Sequence, residues 1–283
     1  MTTDLMGKCG FALLLATLAV TSVFGVTYHR SFRHGYPSGA QGVTVRTSPQ
    51  PAALKAPAAK GGGAFRAREE LWSTSWTEVN GKNGVWDDCY RQTKDPANCS
   101  FKFRVMRHAD AIGVEAFVRD DRVVVDNCPA NSISCETWKD DCLEVFFDGD
   151  NDRNPNTRGT DEAHPLACNA GGEYAMAANG SSQSDYASAK RCFGTLWGGT
   201  AEPWTKGGVR RGTHYRLWFK YACLGRPTPR LDEPVRFGFT ICVHDDDDGG
   251  ANDLALYWKG NPKIPYADES AFGTITLPAV GVR

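Results

Sequence analysis

The chain has 283 residues and a formal net charge of −1 at pH 7, with 32 lysines and arginines against 33 aspartates and glutamates. Such a balance shows no general basic excess and argues against nucleic acid as a partner. Apolar residues make up 41% of the chain, which is enough for a core, and 30 glycines with 15 prolines indicate many turns. The composition therefore favours an all-β domain over a helical one.

Residues 1–25 are predicted to be a signal peptide or a membrane anchor. Lys8 precedes an apolar run from Phe11 to Phe24, and small residues allow cleavage after Gly25. The run is shorter than the roughly 20 residues of a spanning helix. Basic residues follow it, which disfavours translocation of the downstream chain and leaves a retained anchor open. Either alternative predicts a domain outside the cytoplasm, whether secreted, periplasmic or anchored.

Residues 26–70 are predicted to be a flexible linker, because proline, alanine and glycine dominate the segment. Such a composition cannot bury a core. The linker would hold the following domain away from a membrane or a larger protein assembly.

Ten cysteines are present, and nine of them follow the N-terminal segment. None shows the paired CxxC spacing of a zinc site, so disulfides in an oxidising compartment are the preferred interpretation. Cys89 with Cys99, and Cys128 with Cys135, would each close a short loop and are the predicted pairs. Because nine is an odd number, at least one thiol is free or pairs with another chain.

From residue 71 onwards, apolar and polar residues alternate in short runs separated by turn residues. Alternation with a period of two indicates strands with one buried face. Many short strands with long loops rich in Gly and Asp predict an antiparallel, jelly-roll-like β-sandwich over residues 71–283. The runs are 101–106, 112–119, 143–147, 215–221, 235–243, 254–258 and 272–277.

Three segments carry the functional interpretation. Thr137–Asp148 reads TWKDDCLEVFFD and sets a tryptophan beside two carboxylates at the mouth of an apolar strand, Phe237–Asp248 reads FGFTICVHDDDD, and Ala271–Leu277 reads AFGTITL. Together with VNGK at 79–82 and the Val-Trp pair at 85–86, their order and spacing resemble the carbohydrate-binding module family 9 domain. The resemblance covers roughly residues 79–277.

This resemblance implies a non-catalytic module that binds a polysaccharide or oligosaccharide end between two aromatic rings. Trp138 matches the first ring by its place in the motif, and Tyr266, six residues before the Phe-Gly of the closing strand, matches the second. A flat aromatic ring suits the C–H face of a pyranose. Asp140, Asp141 and Glu144 are predicted to accept hydrogen bonds from sugar hydroxyls.

Two positions depart from the family pattern. Ala175 and Cys242 occupy strands on which the family usually carries basic and amide side chains that reach the sugar. Either the ligand differs from a plain glucan end, or the fold is kept without sugar binding. The second alternative would make the chain a structural or assembly subunit of an extracytoplasmic or membrane complex.

Two acidic loops predict structural calcium, which members of the resembled family also bind. The first loop places Asp148, Asp150 and Asp152 at alternating positions, so that several oxygens can converge on one hard cation, although the loop is not an EF-hand. The second loop contains Asp245 and Asp247 within four consecutive aspartates. Such a run is repulsive without a counter-ion.

Two less favoured functions remain open. A related group of β-sandwich domains binds haem through methionine and histidine, and Met106, Met176 and His108 are present without haem-specific spacing. A glycoside hydrolase needs two carboxylates about 5 to 9 Å apart, and nothing marks such a pair. The chain contains no G-x-S-x-G, H-E-x-x-H or Walker motif, which argues against an enzyme.

Overall fold

In the computed structural model, the described residues are 69–87, 98–133, 135–153, 172–184, 193–263 and 268–281. All of them belong to one unit, Val45–Arg283. The predicted signal or anchor segment and almost all of the predicted linker lie outside the described residues, so these assignments remain predictions. Within the described ranges, no helix has the length and apolar character needed to cross a membrane.

Two antiparallel sheets form a sandwich, which confirms the predicted all-β fold. The first sheet has the order β1-β4-β5-β10-β9, with β2 also paired to β4, and the second has the order β3-β12-β11-β6-β7-β8, with β13 also paired to β11. The strands of the first sheet are β1 (Trp72–Ser73), β2 (Thr77–Val79), β4 (Ser100–Arg107), β5 (Ala111–Arg119), β9 (Trp197–Lys206) and β10 (Val209–Lys220). Those of the second are β3 (Val85–Trp86), β6 (Cys142–Asp148), β7 (Glu173–Ala177), β8 (Ser182–Ser184), β11 (Val235–Asp245), β12 (Leu254–Tyr257) and β13 (Gly273–Leu277).

Every alternating run that the sequence offered contains a strand, whereas β9 and the shorter strands β1, β2, β3, β7 and β8 were not among the runs. The longest of these is β9. Two glycines and Pro203 interrupt its alternation, and it lies at the edge of the first sheet, where a proline is tolerated because no partner strand needs its N–H. Gly207 and Gly208, with φ of 62° and 79°, form the two-residue turn from β9 to β10. Positive φ at both central residues is the requirement of a type I′ hairpin turn.

Aromatic rings fill the space between the two sheets. Phe147 of β6 is fully buried, and its ring centroid lies 5.0 Å from that of Phe219 on the first sheet. It also contacts Tyr174 at 6.0 Å and Phe237 at 5.7 Å on the neighbouring strands. Edge-to-face contacts of this kind add to the free energy of apolar burial. The two sheets are therefore locked together at the centre of β6.

The second sheet depends on the register between β6 and β11. Gly238 lies opposite Asp148 and His244 lies opposite Cys142, so seven consecutive residues of each strand are paired. Odd-numbered residues of both strands face the core between the sheets, and even-numbered residues face outwards. Both faces are buried along the whole of β6. This register decides which carboxylates and thiols meet on the outer face.

One of the two predicted disulfides is present and the other is wrong. Cys128 and Cys135 are joined. Cys99 is a free thiol with no measurable exposure inside the main core, and Cys89 lies outside the described residues. The Cys99 side chain fills the core as a small apolar residue, which is the commonest use of a cysteine in such a position.

Substitution of Phe147 by alanine is expected to lower the free energy of unfolding by about 3–5 kcal/mol, because it leaves a cavity among four aromatic rings. Val209→Ala is the matched control, since that side chain is 55% exposed at the hairpin end. Urea unfolding followed by circular dichroism measures both. Equal losses in the two variants would contradict a core centred on Phe147.

Candidate carbohydrate site and acidic clusters

The loop that carries Trp138 is tied to the second sheet at several points. Besides the disulfide, the Asn179 amide donates to the Cys128 carbonyl at 2.8 Å, and Ile133 forms a parallel bridge with Ser182. The Thr137 N–H donates to Oε1 of Gln183 at 3.1 Å. These contacts hold a 3-10 turn, Thr137–Lys139, directly before β6. A rigid support of this kind lowers the entropic cost of binding a ligand.

Trp138 is half-buried at the surface of this turn. Lys139 Nζ lies 5.4 Å from the centre of its ring and 2.6 Å from Oε2 of Glu136. The Lys139 cation lies over the ring and pairs with the Glu136 carboxylate, so an apolar ring and hydrogen-bonding groups are neighbours at this surface. Tyr266, the predicted second ring, lies outside the described residues, so its pairing with Trp138 remains a prediction.

Asp140 and Asp141 lie beneath the surface, at 0% and 4% exposure. Asp140 Oδ1 accepts from the backbone N–H groups of Asp126 and Asn127 at 3.1 and 2.9 Å. Asp141 accepts from the backbone N–H groups of Val124 and Asp246. Both carboxylates thus fasten loops together at the end of β6. Their predicted role as acceptors for sugar hydroxyls remains a prediction.

Glu144, the third predicted acceptor, is fully buried on the outer face of the second sheet. Its Oε2 lies 3.0 Å from Nε2 of His244. Ala175 lies opposite Glu144 on β7, and Cys242 lies opposite it on β11. The two positions that depart from the family pattern therefore border one buried carboxylate, whose described partner is an imidazole.

The first predicted calcium loop meets a residue that sequence analysis did not identify. Ligand oxygens of Asp148, Asp152 and Glu269 lie within 4.8 Å of one another. Glu269 is fully buried in the 3-10 turn that precedes β13. Asp150 is not in this group, and its Oδ1 accepts from the N–H of Asp152 at 2.9 Å. The sequence around Glu269 does not indicate a metal ligand, because this residue is separated from the loop by more than 100 residues of sequence.

Asp148 requires a glycine on the neighbouring strand. A Cβ at Gly238, the residue opposite Asp148, would lie 2.5 Å from Asp148 Oδ2. No side chain larger than hydrogen fits there without moving the carboxylate. Asp148 Oδ1 in turn accepts from the Asn151 N–H at 2.6 Å, which folds the loop back over the strand end. Burial raises the pKa of Asp148.

The second predicted calcium loop forms another group. Asp245 and Asp247 converge with Asp120, which directly follows β5 of the first sheet, with ligand oxygens within 4.8 Å of one another. The Asn98 amide donates to both Asp245 and Asp247 at 2.9 Å. Sequence analysis missed Asp120, because the residues Arg-Asp-Asp after an alternating run do not by themselves indicate a metal ligand. The all-oxygen donor set is the type that calcium prefers.

Burial and mutual repulsion raise the pKa values of these carboxyl groups. Burial, followed by the charge of Asp120, raises the pKa of Asp245 to about 8. Burial is also the largest cause of the raised pKa values of Asp120 and Asp141. Carboxylates held together in a poorly solvated place resist ionisation unless a cation compensates them. Ionisation of this group therefore costs free energy unless a cation is bound.

Asp246 lies between two further acidic groups. It converges with Asp126 and Asp140 on one side and with Asp248 and Asp253 on the other. Asp246 is itself fully buried, and burial raises its pKa. Four consecutive aspartates therefore alternate between two neighbouring acidic groups and do not form one turn in solvent.

A second aromatic surface lies on the first sheet, and sequence analysis did not identify it. The Phe117 ring is 5.6 Å from Trp76 and 5.5 Å from Trp204, and it stacks on His214 at 4.0 Å. Lys102 Nζ lies 4.8 Å from the Trp76 ring centre. A groove of about 190 Å³ runs beside Phe117 and Trp204. This surface lies on the opposite side of the sandwich from the outer face of the second sheet.

Comparisons with known proteins give one family. The model of a family described as carbohydrate family 9 binding domain-like matches residues 68–279. A carbohydrate binding module of family 9 from Caldicellulosiruptor kristjanssonii in complex with cellotriose has 17% identity and a TM-score of 0.48, covering 71% of this chain and 89% of that one. A module of the same family and organism in complex with glucose has 16% identity and a TM-score of 0.48, covering 72% and 93%. A comparison with curated proteins gives no match.

Without divalent cations, the stability of the chain is expected to fall as pH rises from 5 to 8. The folded-state pKa of Asp245, about 8, lies above the ordinary value of 3.8, so the native state binds more protons across this interval. Thermal unfolding of metal-stripped protein measures the slope. Asp245→Asn should flatten it, and the exposed Asp232→Asn should not. A stability that rises throughout the interval would contradict repulsion in this cluster.

Proposed function

Because the chain belongs to the carbohydrate family 9 binding domain-like family, we propose that it is a non-catalytic module that holds a sugar end at Trp138 and Tyr266. The observation that carries this proposal is the half-exposed Trp138 ring on a loop fastened to the second sheet. The family assignment supports carbohydrate as the ligand class, and the half-exposed ring on a firmly held loop supports Trp138 as its site.

The Trp138 ring binds the C–H face of a pyranose, because burial of that face needs no polar partner. Glu136 and Lys139 flank the ring and keep 49% and 30% of their side chains exposed. They are accessible to sugar hydroxyls, in contrast to the buried Asp140 and Glu144. Tyr266 closes the second side of the sugar. Binding and orientation are the whole function, with no bond made or broken.

Two structural calcium ions belong to this proposal. The donor sets fit a hard cation because each consists only of carboxylate oxygens. Asp148, Asp152 and Glu269 would hold one ion at one end of β6. A second group would hold another ion between the two sheets at the opposite end, and it consists of Asp120, Asp245 and Asp247. Each ion would relieve repulsion between carboxylates that the fold has already brought together.

An exported location also belongs to the proposal. The Cys128–Cys135 disulfide supports an oxidising compartment, since such bonds are rare in the cytosol. Attachment to a membrane or a larger assembly through the N-terminal segment remains the accompanying prediction.

An assembly subunit is the second candidate function. Ala175 and Cys242 are buried and offer no side chain to a sugar, and the carboxylates at 140, 141 and 144 are buried as well. A haem domain has less support. Met176 lies in the core between the sheets, whereas Met106 and His108 lie over Gly113 on the other face of the first sheet. Met176 therefore cannot join the adjacent Met106 and His108 on one iron.

Trp138→Ala is expected to weaken sugar binding roughly five- to thirtyfold. Each ring contributes on the order of 1–2 kcal/mol, mostly through apolar burial. Calorimetric titration of the full chain with a panel of mono- and oligosaccharides, up to millimolar concentration, measures the change. Trp204→Ala is the matched control, because this half-buried tryptophan lies on the first sheet. If no sugar of the panel binds the folded wild type, the assembly-subunit function replaces this proposal.

Asp245→Asn combined with Asp247→Asn is expected to change stability in opposite directions with and without calcium. In chelator the variant should melt above the wild type, because the repulsion is removed. In calcium it should melt below the wild type, because binding to the native state contributes about 2.7 kcal/mol at 100 times Kd. Calorimetric scans in both buffers measure the two differences. If the variant melts below the wild type in both buffers, or above it in both, the group of Asp120, Asp245 and Asp247 does not bind calcium.

A further inference from the structure

Four side chains with metal-binding atoms form a two-by-two group on the outer face of the second sheet. Cys142 and Glu144 alternate along β6, and the residues opposite them on β11 are His244 and Cys242. All four are at most 1% exposed. Opposing residues of an antiparallel pair point to the same face with Cβ atoms about 5 Å apart. The backbone therefore holds two thiols, a carboxylate and an imidazole together.

Three of these groups already converge. The Cys142 sulfur, a Glu144 carboxylate oxygen and a His244 ring nitrogen lie within 4.8 Å of one another. In a tetrahedral site with metal–ligand bonds of about 2.0–2.3 Å, ligand atoms stand roughly 3–4 Å apart. Glu144 Oε2 and His244 Nε2, at 3.0 Å, are close to that separation. An ion that replaces the proton between these two atoms could bond both groups and Cys142.

The imidazole ring is held from its other side. His244 Nδ1 lies 2.5 Å from the side-chain amide of Asn252, which is also buried. With its amide rotated, Asn252 can accept a hydrogen bond from Nδ1–H through its oxygen. Such a bond leaves Nε2 as the metal-binding atom and fixes the ring orientation, as in many metal sites.

The immediate surroundings are small and apolar. Ala177 lies opposite Cys142 and Ala175 lies opposite Glu144 on β7, while Ala255 lies opposite His244 on β12. Large aromatic side chains complete the enclosure, namely Phe146, Tyr257 and Phe272. A closed apolar shell of this kind limits access of water to a bound ion.

We propose that Cys142, Glu144 and His244 bind a divalent transition-metal ion of the zinc class. Mixed sulfur, nitrogen and oxygen donors select such an ion over calcium, which the all-oxygen groups at the strand ends would take. Binding to Cys142 forms a metal–sulfur bond and releases the thiol proton to solvent. The site is independent of sugar binding.

Cobalt(II) and zinc titrations of the full, metal-stripped and reduced chain test the site, with calcium in excess. We expect one zinc per chain after gel filtration, and a thiolate-to-cobalt charge-transfer band on cobalt binding. Cys142→Ser and His244→Gln should each weaken zinc binding at least about tenfold, and Cys142→Ser should remove the band. Cys99→Ser is the matched control, because this buried thiol lies in the core between the sheets and should leave both signals unchanged.

Absence of retained zinc and of the band in folded wild type would overturn the proposal. Persistence of the band in Cys142→Ser would do the same, because it would assign the thiolate to another cysteine. If the variants do not fold, anomalous diffraction at the zinc edge from wild-type crystals decides the matter. An ion within bonding distance of Cys142, Glu144 and His244 supports the site, and an ion elsewhere overturns it.

Discussion

The antiparallel pairing of β6 with β11 is the constraint on which the rest of the structure depends. Its register turns Phe147 and its odd-numbered neighbours into the core and turns Cys142, Glu144 and His244 to the outer face. A slip of one residue would exchange these faces, exposing the aromatic core to the outer side and placing carboxylates between the sheets. Burial of aromatic rings therefore also fixes the chemistry of the outer face.

The same pairing separates two kinds of potential cation site. The strand ends gather carboxylates, with Asp148 at one end and Asp245 at the other, whereas the middle of the outer face gathers sulfur, nitrogen and oxygen. Oxygen-only groups favour calcium and mixed groups favour zinc. Because burial raises the pKa of Asp245 to about 8, the acidic end is stabilised either by protons or by a cation. The stability of this end of the sandwich is therefore expected to depend on pH.

Periodicity predicted most of the fold, because alternation records the burial of one face and needs no knowledge of partners. It missed five strands of two to five residues, and it missed β9, a longer edge strand interrupted by glycine and proline. The acidic loops were also visible, yet Glu269 and Asp120 reach their groups from distant segments, and no local pattern contains that information. Cys99 shows a different limit of sequence analysis. Its short separation from Cys89 predicted a disulfide, whereas in the structure Cys99 is a free thiol that fills the core as a small apolar side chain.

Trp138 is the proposed sugar site, and the aromatic surface of the first sheet is the competing candidate. Chemical-shift mapping distinguishes the two most directly. A 1H–15N NMR titration of the full chain with a bound oligosaccharide reports which backbone amides sense the ligand. We expect shifts concentrated at residues 136–140 and at Gln183, whose side chain supports the turn. Shifts confined to Trp76, Phe117 and Trp204 would contradict this expectation and move the carbohydrate site to the first sheet.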